Sequence, residues 1–175
     1  MPKAPMDTLQ LSCIQIAIAL LLFFTQAKGT TEHTSALHRN DAPASCVAGE
    51  RSALLSFRAG LSVPGNLLSS WKGDDCCRWK GVYCSNRTSH VVKLDLRGPE
   101  DGSYGEDRDV LAGNISSSLL GLQHLRYLDL SSNAFDKIQI PEFMGSLHQL
   151  RYLDLSRSLF IGRIPSQLGN LSNLR

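Results

Sequence analysis

The sequence predicts an α/β solenoid, in which stacked coils each add one strand to a parallel concave sheet and a small helical cap covers the first coil. Two patterns carry this prediction. Leucines recur at a regular spacing through residues 88–175, and four cysteines lie together in residues 46–84, just ahead of them. A third pattern, an apolar N-terminal segment, predicts export through the secretory pathway, where such cysteines oxidise to disulfides.

The first 27 residues have the pattern of a signal peptide. Lys3 precedes an apolar run from Cys13 to Phe24, and small residues follow at 25–27. The run is shorter than the about 20 apolar residues that a membrane-spanning helix needs, so a cleaved signal is favoured. Residues 28–45 are polar and are expected to be disordered. Because no second apolar run follows, the chain as it stands is expected to be secreted.

The cysteines that remain after cleavage are predicted to form two disulfides. They are Cys46, Cys76, Cys77 and Cys84. A zinc site would require Cys-x2-Cys pairs or regularly spaced histidines, and neither is present. The neighbours Cys76 and Cys77 lie too close to bond each other, with Cα atoms about 3.8 Å apart. Two pairings stay open: Cys46–Cys76 with Cys77–Cys84, or Cys46–Cys77 with Cys76–Cys84.

The leucines of the second half repeat. Leu122, Leu125, Leu128 and Leu130 return 25 residues later as Leu147, Leu150, Leu153 and Leu155, and Leu171 and Leu174 follow after 24 more. A period of about 20–29 residues with this internal spacing is the signature of leucine-rich repeats. An earlier copy carries an acidic insertion at residues 98–109; its apolar positions are Val91, Leu94, Leu96, Ile115, Leu119 and Leu122. Residues 88–175 therefore hold three repeats and the start of a truncated fourth.

Each repeat is expected to begin with a strand and to end its leucine ladder with a turn. Alternate side chains of a strand face opposite ways, so Leu128 and Leu130 should point inward while Tyr127 and Asp129 face solvent. Asn133 follows, where its amide can bond the backbone as the chain turns away. The other two copies have Pro99 and Ser158 at this position. One coil cannot bury its own leucines, but stacked coils build a continuous core.

The cysteine-rich segment is expected to cover the exposed leucines of the first coil. Helical spacing places four apolar residues of segment 50–61 on one face: Ala53, Leu54, Phe57 and Leu61. A second short helix, capped by Asn66, would carry Leu67, Leu68 and Trp71. Trp71 and Trp79 then serve as large apolar plugs. Each of the two bridges would contribute about 2–4 kcal/mol to a unit whose core is small.

These residues resemble a known family. The cap motif consists of Cys46, Glu50, Arg51, Ala53, Leu54, Leu55, Phe57, Leu68, Ser69, Ser70, Trp71, Asp75, Cys76, Cys77, Trp79, Gly81, Val82 and Cys84, and it is followed by Val92, Leu94 and Leu96. It resembles the plant-type N-terminal cap of leucine-rich-repeat receptors. Residues 125–131, Ile164-Pro165 and residues 168–171 resemble the plant extracellular repeat. The resemblance implies the pairing Cys46–Cys76 with Cys77–Cys84. It also implies an outer sheet edge at the Ile-Pro segment, whose proline is replaced by Ser116 in the first repeat.

No catalytic, cofactor or nucleic-acid site is predicted. The chain of 175 residues has a formal charge of only +2 and no basic stripe, and it lacks phosphate-loop and metal motifs. Its histidines are scattered, at His33, His38, His90, His124 and His148. The acidic loop contains Glu100, Asp101, Glu106, Asp107 and Asp109. It lacks the residue spacing of a calcium-binding loop, so a solvated insertion is favoured.

The candidate binding residues stand on the concave strands. They are Lys93, Asp95 and Arg97 in the first coil, Arg126, Tyr127, Asp129 and Ser131 in the second, and Arg151, Tyr152, Asp154, Ser156 and Arg157 in the third. They offer a platform for a peptide or glycan. The repeated R-Y-x-D-x-S suits a solvated scaffold surface more than a tailored site, so specificity is expected to lie in repeats outside this chain.

The predicted function is that of a binding module of a plant cell-surface receptor-like protein, in defence or developmental perception. Its expected partners are an extracellular protein, peptide or glycan and a co-receptor, with membrane attachment only through a downstream span. Three sequons, at Asn86, Asn114 and Asn170, predict N-glycosylation. Two alternatives are a soluble protein similar to polygalacturonase inhibitors and a truncated, inactive receptor fragment. Because the chain ends within a leucine ladder, the secreted chain alone is expected to be marginally stable or self-associated.

Overall fold

The computed structural model describes residues 45–99, 110–135 and 137–175. The segment interpreted as a signal peptide, the polar stretch before Ser45 and the acidic residues 100–109 lie outside the described residues. The helix and strands are α1 Ala48–Ala59, β1 Leu61–Ser62, β2 Val82–Cys84, β3 Val91–Asp95, β4 Ala112–Gly113, β5 Tyr127–Asp129 and β6 Tyr152–Asp154. Short 3-10 turns occupy Cys76–Arg78, Ser117–Gly121, Glu142–Ser146 and Ser166–Asn170.

The concave sheet has the strand order β2-β3-β5-β6. Strands β3, β5 and β6 run parallel, with Leu94 beside Leu128 and Leu128 beside Leu153. This confirms the predicted solenoid sheet and its repeat register. Strand β2 was not predicted. It comes from the cap and pairs antiparallel with β3, so the cap extends the sheet by one strand as well as covering the core.

The inward leucines form the core that the repeat pattern predicts. The fully buried apolar residues of the second coil include Leu122, Leu125, Leu128, Leu130 and Phe135. Ring stacking continues this core into the third coil, where the Phe160 ring centroid lies 5.4 Å from that of Phe135. Leu153 and Leu155 of the third coil are only half-buried. How deeply an inward leucine is buried therefore depends on whether its coil has a neighbouring coil on both sides.

A buried asparagine, Asn133, supports the turn after β5. Its Nδ2 donates to the carbonyls of Leu96 at 2.8 Å and Leu130 at 2.9 Å, and its Oδ1 accepts from the amide of Leu111 at 2.9 Å. In the next coil, the Ser158 hydroxyl lies 2.6 Å from the Leu130 carbonyl and accepts the Asn133 amide at 3.2 Å. The predicted backbone bonding of Asn133 is confirmed, and Ser158 continues the polar ladder with a shorter side chain.

The chain is fastened to the second coil on both sides of residues 100–109. Before this segment, the Gly98 amide donates to the Ser131 carbonyl at 2.8 Å. After it, the Leu111 carbonyl accepts from the Ala134 amide at 2.8 Å. A side chain at Gly98 would collide with the carbonyl of Ser132, which explains the glycine at this crossing.

Helix α1 has the predicted inner face over most of its length. Ala53, Leu54 and Phe57 are buried, and the helix packs against the turn Ser117–Gly121 of the first repeat. The prediction that Leu61 continues this face was wrong, because the helix ends at Ala59 and Leu61 begins β1. There it pairs antiparallel with Gly113 of β4. The close approach of the first repeat at Gly60, whose carbonyl accepts the Asn114 amide at 2.9 Å, turns the chain out of the helix.

The second predicted helix, starting at Asn66, does not form. Residues 65–70 make turns, in which Ser69 donates to Asn66 and Trp71 to Leu68. The physical reason lies in the far end of the segment, where the Trp71 indole is anchored to the Lys80 carbonyl at 3.0 Å. Trp71 is 1% exposed and its ring stacks on that of Trp79 with centroids 5.3 Å apart, as expected for the plugs of the first coil.

Two disulfides join the cap. They connect Cys46 to Cys76 and Cys77 to Cys84, which confirms the pairing that the family resemblance implied. The first bridge spans 30 residues and ties the start of α1 to the turn before β2, while the second spans 7 residues. Among the described residues, no helix is long and apolar enough to span a bilayer.

The outer edge of the solenoid is less regular than the concave sheet. Isolated parallel bridges join Ala112 to Ala134 and Gln139 to Ile161. The first repeat also receives β1 of the cap on this side, through the antiparallel β1–β4 pair. The outer edge implied by the resemblance is therefore present as short pairings, and one of them joins the cap to the first repeat.

Candidate functional site

A row of aromatic and cationic side chains crosses the concave face from the cap to the third coil. We call it the tyrosine row; its members are Tyr83, Lys93, Tyr127 and Tyr152. The strand register places each beside the next. The Tyr127 and Tyr152 rings are stacked, with centroids 4.2 Å apart and an angle of 4° between their planes. The parallel register of β5 and β6 therefore places the two tyrosine rings in contact.

Sequence reasoning missed Tyr83, which belongs to the cysteine-rich segment. The feature that could have indicated Tyr83 is the alternation of inward and outward side chains along β2, where Val82 is buried and Tyr83 is 51% exposed. Because β2 is antiparallel to β3, Tyr83 lies opposite Lys93 on the same face. The cap therefore contributes directly to the candidate surface.

Lys93 is held between two tyrosines of the row. Its Nζ lies 4.2 Å from the Tyr127 ring centroid and 5.1 Å from the Tyr83 ring centroid. The same atom is 3.1 Å from Oδ2 of Asp95. Cation–π attraction and ion pairing both restrain this side chain, so the row is ordered before any ligand arrives.

A second row, the aspartate row, runs beside the first and consists of Asp95, Asp129 and Asp154. Its members are adjacent in the register of β3, β5 and β6. Arg97 makes a bidentate contact with Asp95, at 2.9 Å from Nε and 2.8 Å from Nη2, and its Nε lies 3.7 Å from Asp129. The positive charge of Arg97 thus offsets much of the negative charge of Asp95 and Asp129.

Asp129 was predicted to face solvent, but it is 1% exposed. Its Oδ2 accepts the Tyr127 hydroxyl at 3.1 Å, and its Oδ1 accepts the Ser131 amide at 3.0 Å and the Ser131 hydroxyl at 2.6 Å. Neighbouring side chains on the concave face cover the carboxylate, so orientation toward that face does not make it accessible. Asp129 organises the surface and does not present a free charge to a ligand.

Local hydrogen bonds and burial shift the pKa values of one residue in each row. Ser156 donates to Asp154 and lowers the pKa of that carboxyl. Burial, followed by the hydrogen bond to Asp129, raises the pKa of Tyr127 well above its ordinary value. Tyr127 therefore stays protonated and continues to donate to Asp129 throughout the physiological range.

The remaining predicted residues border the two rows. Arg126, Arg151, Ser156 and Arg157 are exposed, while Ser131 is half-buried against Asp129. Arg157 has a left-handed backbone with φ of 53°, the same conformation that Ser132 adopts one coil earlier. The fold therefore brings the predicted set onto one continuous surface. The three predicted sequon asparagines, Asn86, Asn114 and Asn170, are all exposed, and their glycosylation remains a prediction.

The aspartate row should make stability depend on pH in acid. The hydrogen bond from Arg97 lowers the pKa of Asp95 from 3.8 to about 2. A carboxyl whose pKa is lowered by folding stabilises the folded state fully at pH values above its pKa in the unfolded chain. This stabilisation is lost as the pH falls through its pKa in the folded chain. We expect Asp95→Asn to lose less stability than the wild type between pH 4 and pH 2, as measured by urea unfolding.

A matched control for this experiment is Asp74→Asn, because Asp74 has a fully exposed side chain. This variant should keep the wild-type loss of stability between the two pH values. If Asp95→Asn lost as much stability as the wild type over this interval, the Arg97–Asp95 contact would have no energetic role in the folded state.

Two families of known sequences match parts of the chain. The family described as "Leucine rich repeat N-terminal domain" matches residues 47–85. The family described as "Leucine Rich Repeat" matches residues 124–147 and 149–171. The first match ends one residue after β2, and the two repeat matches contain β5 and β6.

The chain is also similar to plant receptor-like proteins and receptor ectodomains. Receptor-like protein EIX1 of Solanum lycopersicum is 45% identical over 137 residues, which cover 74% of this chain and 13% of that protein. The ectodomain of BIR2 from Arabidopsis thaliana superimposes with a TM-score of 0.61 at 32% identity, over 71% of this chain and 63% of that one. The chain thus spans a small part of EIX1.

A third similar protein is the Arabidopsis receptor kinase HAESA, solved with the peptide hormone IDA and the co-receptor SERK1. Its TM-score is 0.61 at 32% identity, over 73% of this chain and 20% of that one. The similarity in both sequence and fold extends through the cap and the repeats, so it does not rest on the leucine spacing alone.

Proposed function

Because the chain belongs to the leucine-rich-repeat family of plant receptor-like proteins, we propose that it is the N-terminal ligand-binding module of a plant cell-surface receptor. The observation that carries this proposal is the tyrosine row, which crosses four strands of the concave face. Tyr83 is 51% and Tyr152 38% exposed, so aromatic surface is available at both ends of the row. The receptor ectodomains with the same fold include one solved with a peptide hormone and a co-receptor.

The proposed ligand is an extracellular peptide in an extended conformation. Exposed tyrosines supply large contact areas at a low cost in side-chain entropy, which favours recognition of apolar or aromatic side chains. Arg126 and Arg151 are exposed and directly precede β5 and β6. Guanidinium groups in these positions suit carboxylates, including a peptide C-terminus. The aspartate row restrains the tyrosine hydroxyls and so reduces the ordering that binding would require.

The proposed location is the extracellular face of the plasma membrane, since the predicted signal peptide, the cap disulfides and the receptor-like relatives all agree with it. A binding module needs no catalytic step, and we propose none. A glycan ligand would also stack on aromatic rings, but the peptide-bound HAESA ectodomain favours a peptide.

The proposal can be tested by selecting peptides from a random display library on the full chain. We expect Tyr127→Ala to weaken the selected peptides by about 30-fold, because an aromatic hot spot contributes about 2 kcal/mol or more to binding. Tyr127→Phe keeps the ring and should retain most of the affinity. Affinities would be measured by biolayer interferometry, with circular dichroism melts to confirm folding.

A control on another surface is Gln149→Ala, because Gln149 is exposed and lies before β6, away from the tyrosine row. This variant should bind the selected peptides as the wild type does. Peptides that bind Tyr127→Ala and the wild type equally, while losing affinity for Gln149→Ala, would place the binding surface elsewhere and contradict the proposal.

A further inference from the structure

The fold brings together two histidines and a glutamate that are distant in sequence. Glu50 comes from the first turn of α1, His90 directly precedes β3, and His124 lies in the turn before β5. The histidines are scattered in the sequence and predicted no metal site there, but the fold stacks the His90 and His124 rings on each other. The cap, the first repeat and the second repeat each contribute one member to this cluster, which we call the junction cluster.

The glutamate at the centre of the cluster is fixed by the backbone. Glu50 is 3% exposed, and its Oε2 accepts the Val91 amide at 2.7 Å. Its Oε1 lies 3.0 Å from Nδ1 of His90 and 3.9 Å from Nδ1 of His124. One oxygen therefore holds the carboxylate in place, while the other faces both imidazoles.

The two imidazoles lie over one another, with ring centroids 3.7 Å apart and an angle of 21° between the ring planes. One donor atom from each of the three residues can be chosen so that all three lie within 4.8 Å of one another. Two imidazoles and one carboxylate are ligands that suit Zn²⁺ and similar divalent transition metals. The side chains of His90 and His124 are 31% and 49% exposed, which leaves access for an ion and for a water ligand.

We propose that Glu50, His90 and His124 form a binding site for a divalent transition-metal ion of the Zn²⁺ class. Metal–ligand distances of about 2.0–2.2 Å require the donors to approach within about 3.4 Å of one another. Rotation of the exposed His124 ring supplies this contraction, while the Val91 amide keeps Glu50 oriented as an outer-shell partner does. The ion fastens the cap to the first two coils, independently of ligand binding at the concave face.

Other arrangements of metal-binding residues are less suitable. Cys46, Cys76 and Cys77 also lie close together, but their sulfurs are committed to disulfides. In the junction cluster, by contrast, the carboxylate oxygen and the imidazole nitrogens keep their ability to coordinate an ion. An imidazole nitrogen must be free of its proton to coordinate an ion, so binding would release any proton that such a nitrogen carries.

The test is a calorimetric titration with Zn²⁺ of the full chain, without a histidine tag, produced by secretion so that its disulfides form. His33→Gln and His38→Gln are included throughout, to remove the two histidines outside the described residues. We expect one Zn²⁺ per chain and a higher melting temperature with Zn²⁺ than without it. Mg²⁺ should cause neither effect, because it prefers oxygen ligands.

The decisive variant is His124→Phe, which keeps an aromatic ring over His90 but removes one ligand. It should weaken Zn²⁺ binding by at least about 10-fold, since even outer-shell changes cost about 10–100-fold. His148→Phe is the control, because His148 is an exposed histidine outside the cluster; it should bind as the parent does.

Absence of Zn²⁺ binding in the parent chain would overturn the proposal. Equal affinity of the parent and a folded His124→Phe variant would overturn it as well. If His124→Phe failed to fold, His124→Gln would provide the same comparison with a polar side chain of similar reach. None of these outcomes bears on peptide binding by the tyrosine row, so the two proposals fail separately.

Discussion

Asn133→Ala is expected to lower the free energy of unfolding by about 3 kcal/mol or more, measured by urea denaturation with the disulfides intact. The side chain is 1% exposed and serves the carbonyls of Leu96, Leu130 and Ser131 together with the Leu111 amide. Leu130 keeps a contact with the Ser158 hydroxyl. Leu96 and Leu111 lose their side-chain partner, and each buried polar group left unpaired costs about 1–3 kcal/mol.

The control for this variant is Asn173→Ala, one of the exposed asparagines. Asn173 makes one side-chain bond, to the His148 carbonyl at 2.8 Å, and is exposed. Its replacement should change the free energy of unfolding by no more than about 0.5 kcal/mol, as for most surface substitutions. A similar loss for both variants would mean that the Asn133 bonds contribute little net stability.

Removing the Cys46–Cys76 bridge is expected to cost about 3.5 kcal/mol, and removing the Cys77–Cys84 bridge about 2.5 kcal/mol. The difference follows from loop length, because the first bridge closes a segment of 30 residues and the second one of 7. Closing a longer loop removes more conformational entropy from the unfolded chain. The paired substitutions Cys46→Ala with Cys76→Ala, and Cys77→Ala with Cys84→Ala, would be compared by urea unfolding.

The two paired variants control each other, since both remove one bridge and two sulfur atoms from the same cap. A larger loss for the shorter bridge would show that strain or packing in the folded state outweighs loop entropy. A variant too unstable to purify could instead be compared by its melting temperature in stabilising osmolytes, which favour the compact state.

The leucine spacing was sufficient to predict the repeats because each coil repeats one local solution. The inward positions of β5, the parallel register of β3, β5 and β6, and the backbone bonds of Asn133 all follow from a period that is visible in the sequence. Stacking of Tyr127 on Tyr152 follows from the same register. These features are determined by nearest-neighbour contacts between coils.

The cap could be predicted less completely, because its elements form only through contacts distant in sequence. The apolar spacing through Leu61 suggested a longer helix, but pairing with Gly113 of the first repeat takes Leu61 into a strand. Likewise the Trp71 indole is held by the Lys80 carbonyl, and the segment from Asn66 remains a series of turns. Helical periodicity in short segments cannot anticipate such tertiary contacts.

The candidate sites also differ in how far the sequence could predict them. The positions of the tyrosine row within the repeats were predictable, but the contribution of Tyr83 required knowledge of the antiparallel pairing of β2. Burial of Asp129 depends on the side chains around it, which alternation along a strand does not describe. The junction cluster unites residues 40 and 34 positions apart in sequence, and no motif spacing indicates it.

The chain is hydrogen-bonded to the second coil on either side of residues 100–109. A change in the length of this segment should therefore not alter the spacing of the coils. Gly98 and Leu111 are both tied to the backbone of the second coil. For a flexible segment held at both ends, each doubling of length costs only about 0.6 kcal/mol. An epitope tag inserted between these two anchor points should therefore leave the stacking of the coils intact, which a circular dichroism melt of the tagged chain would check.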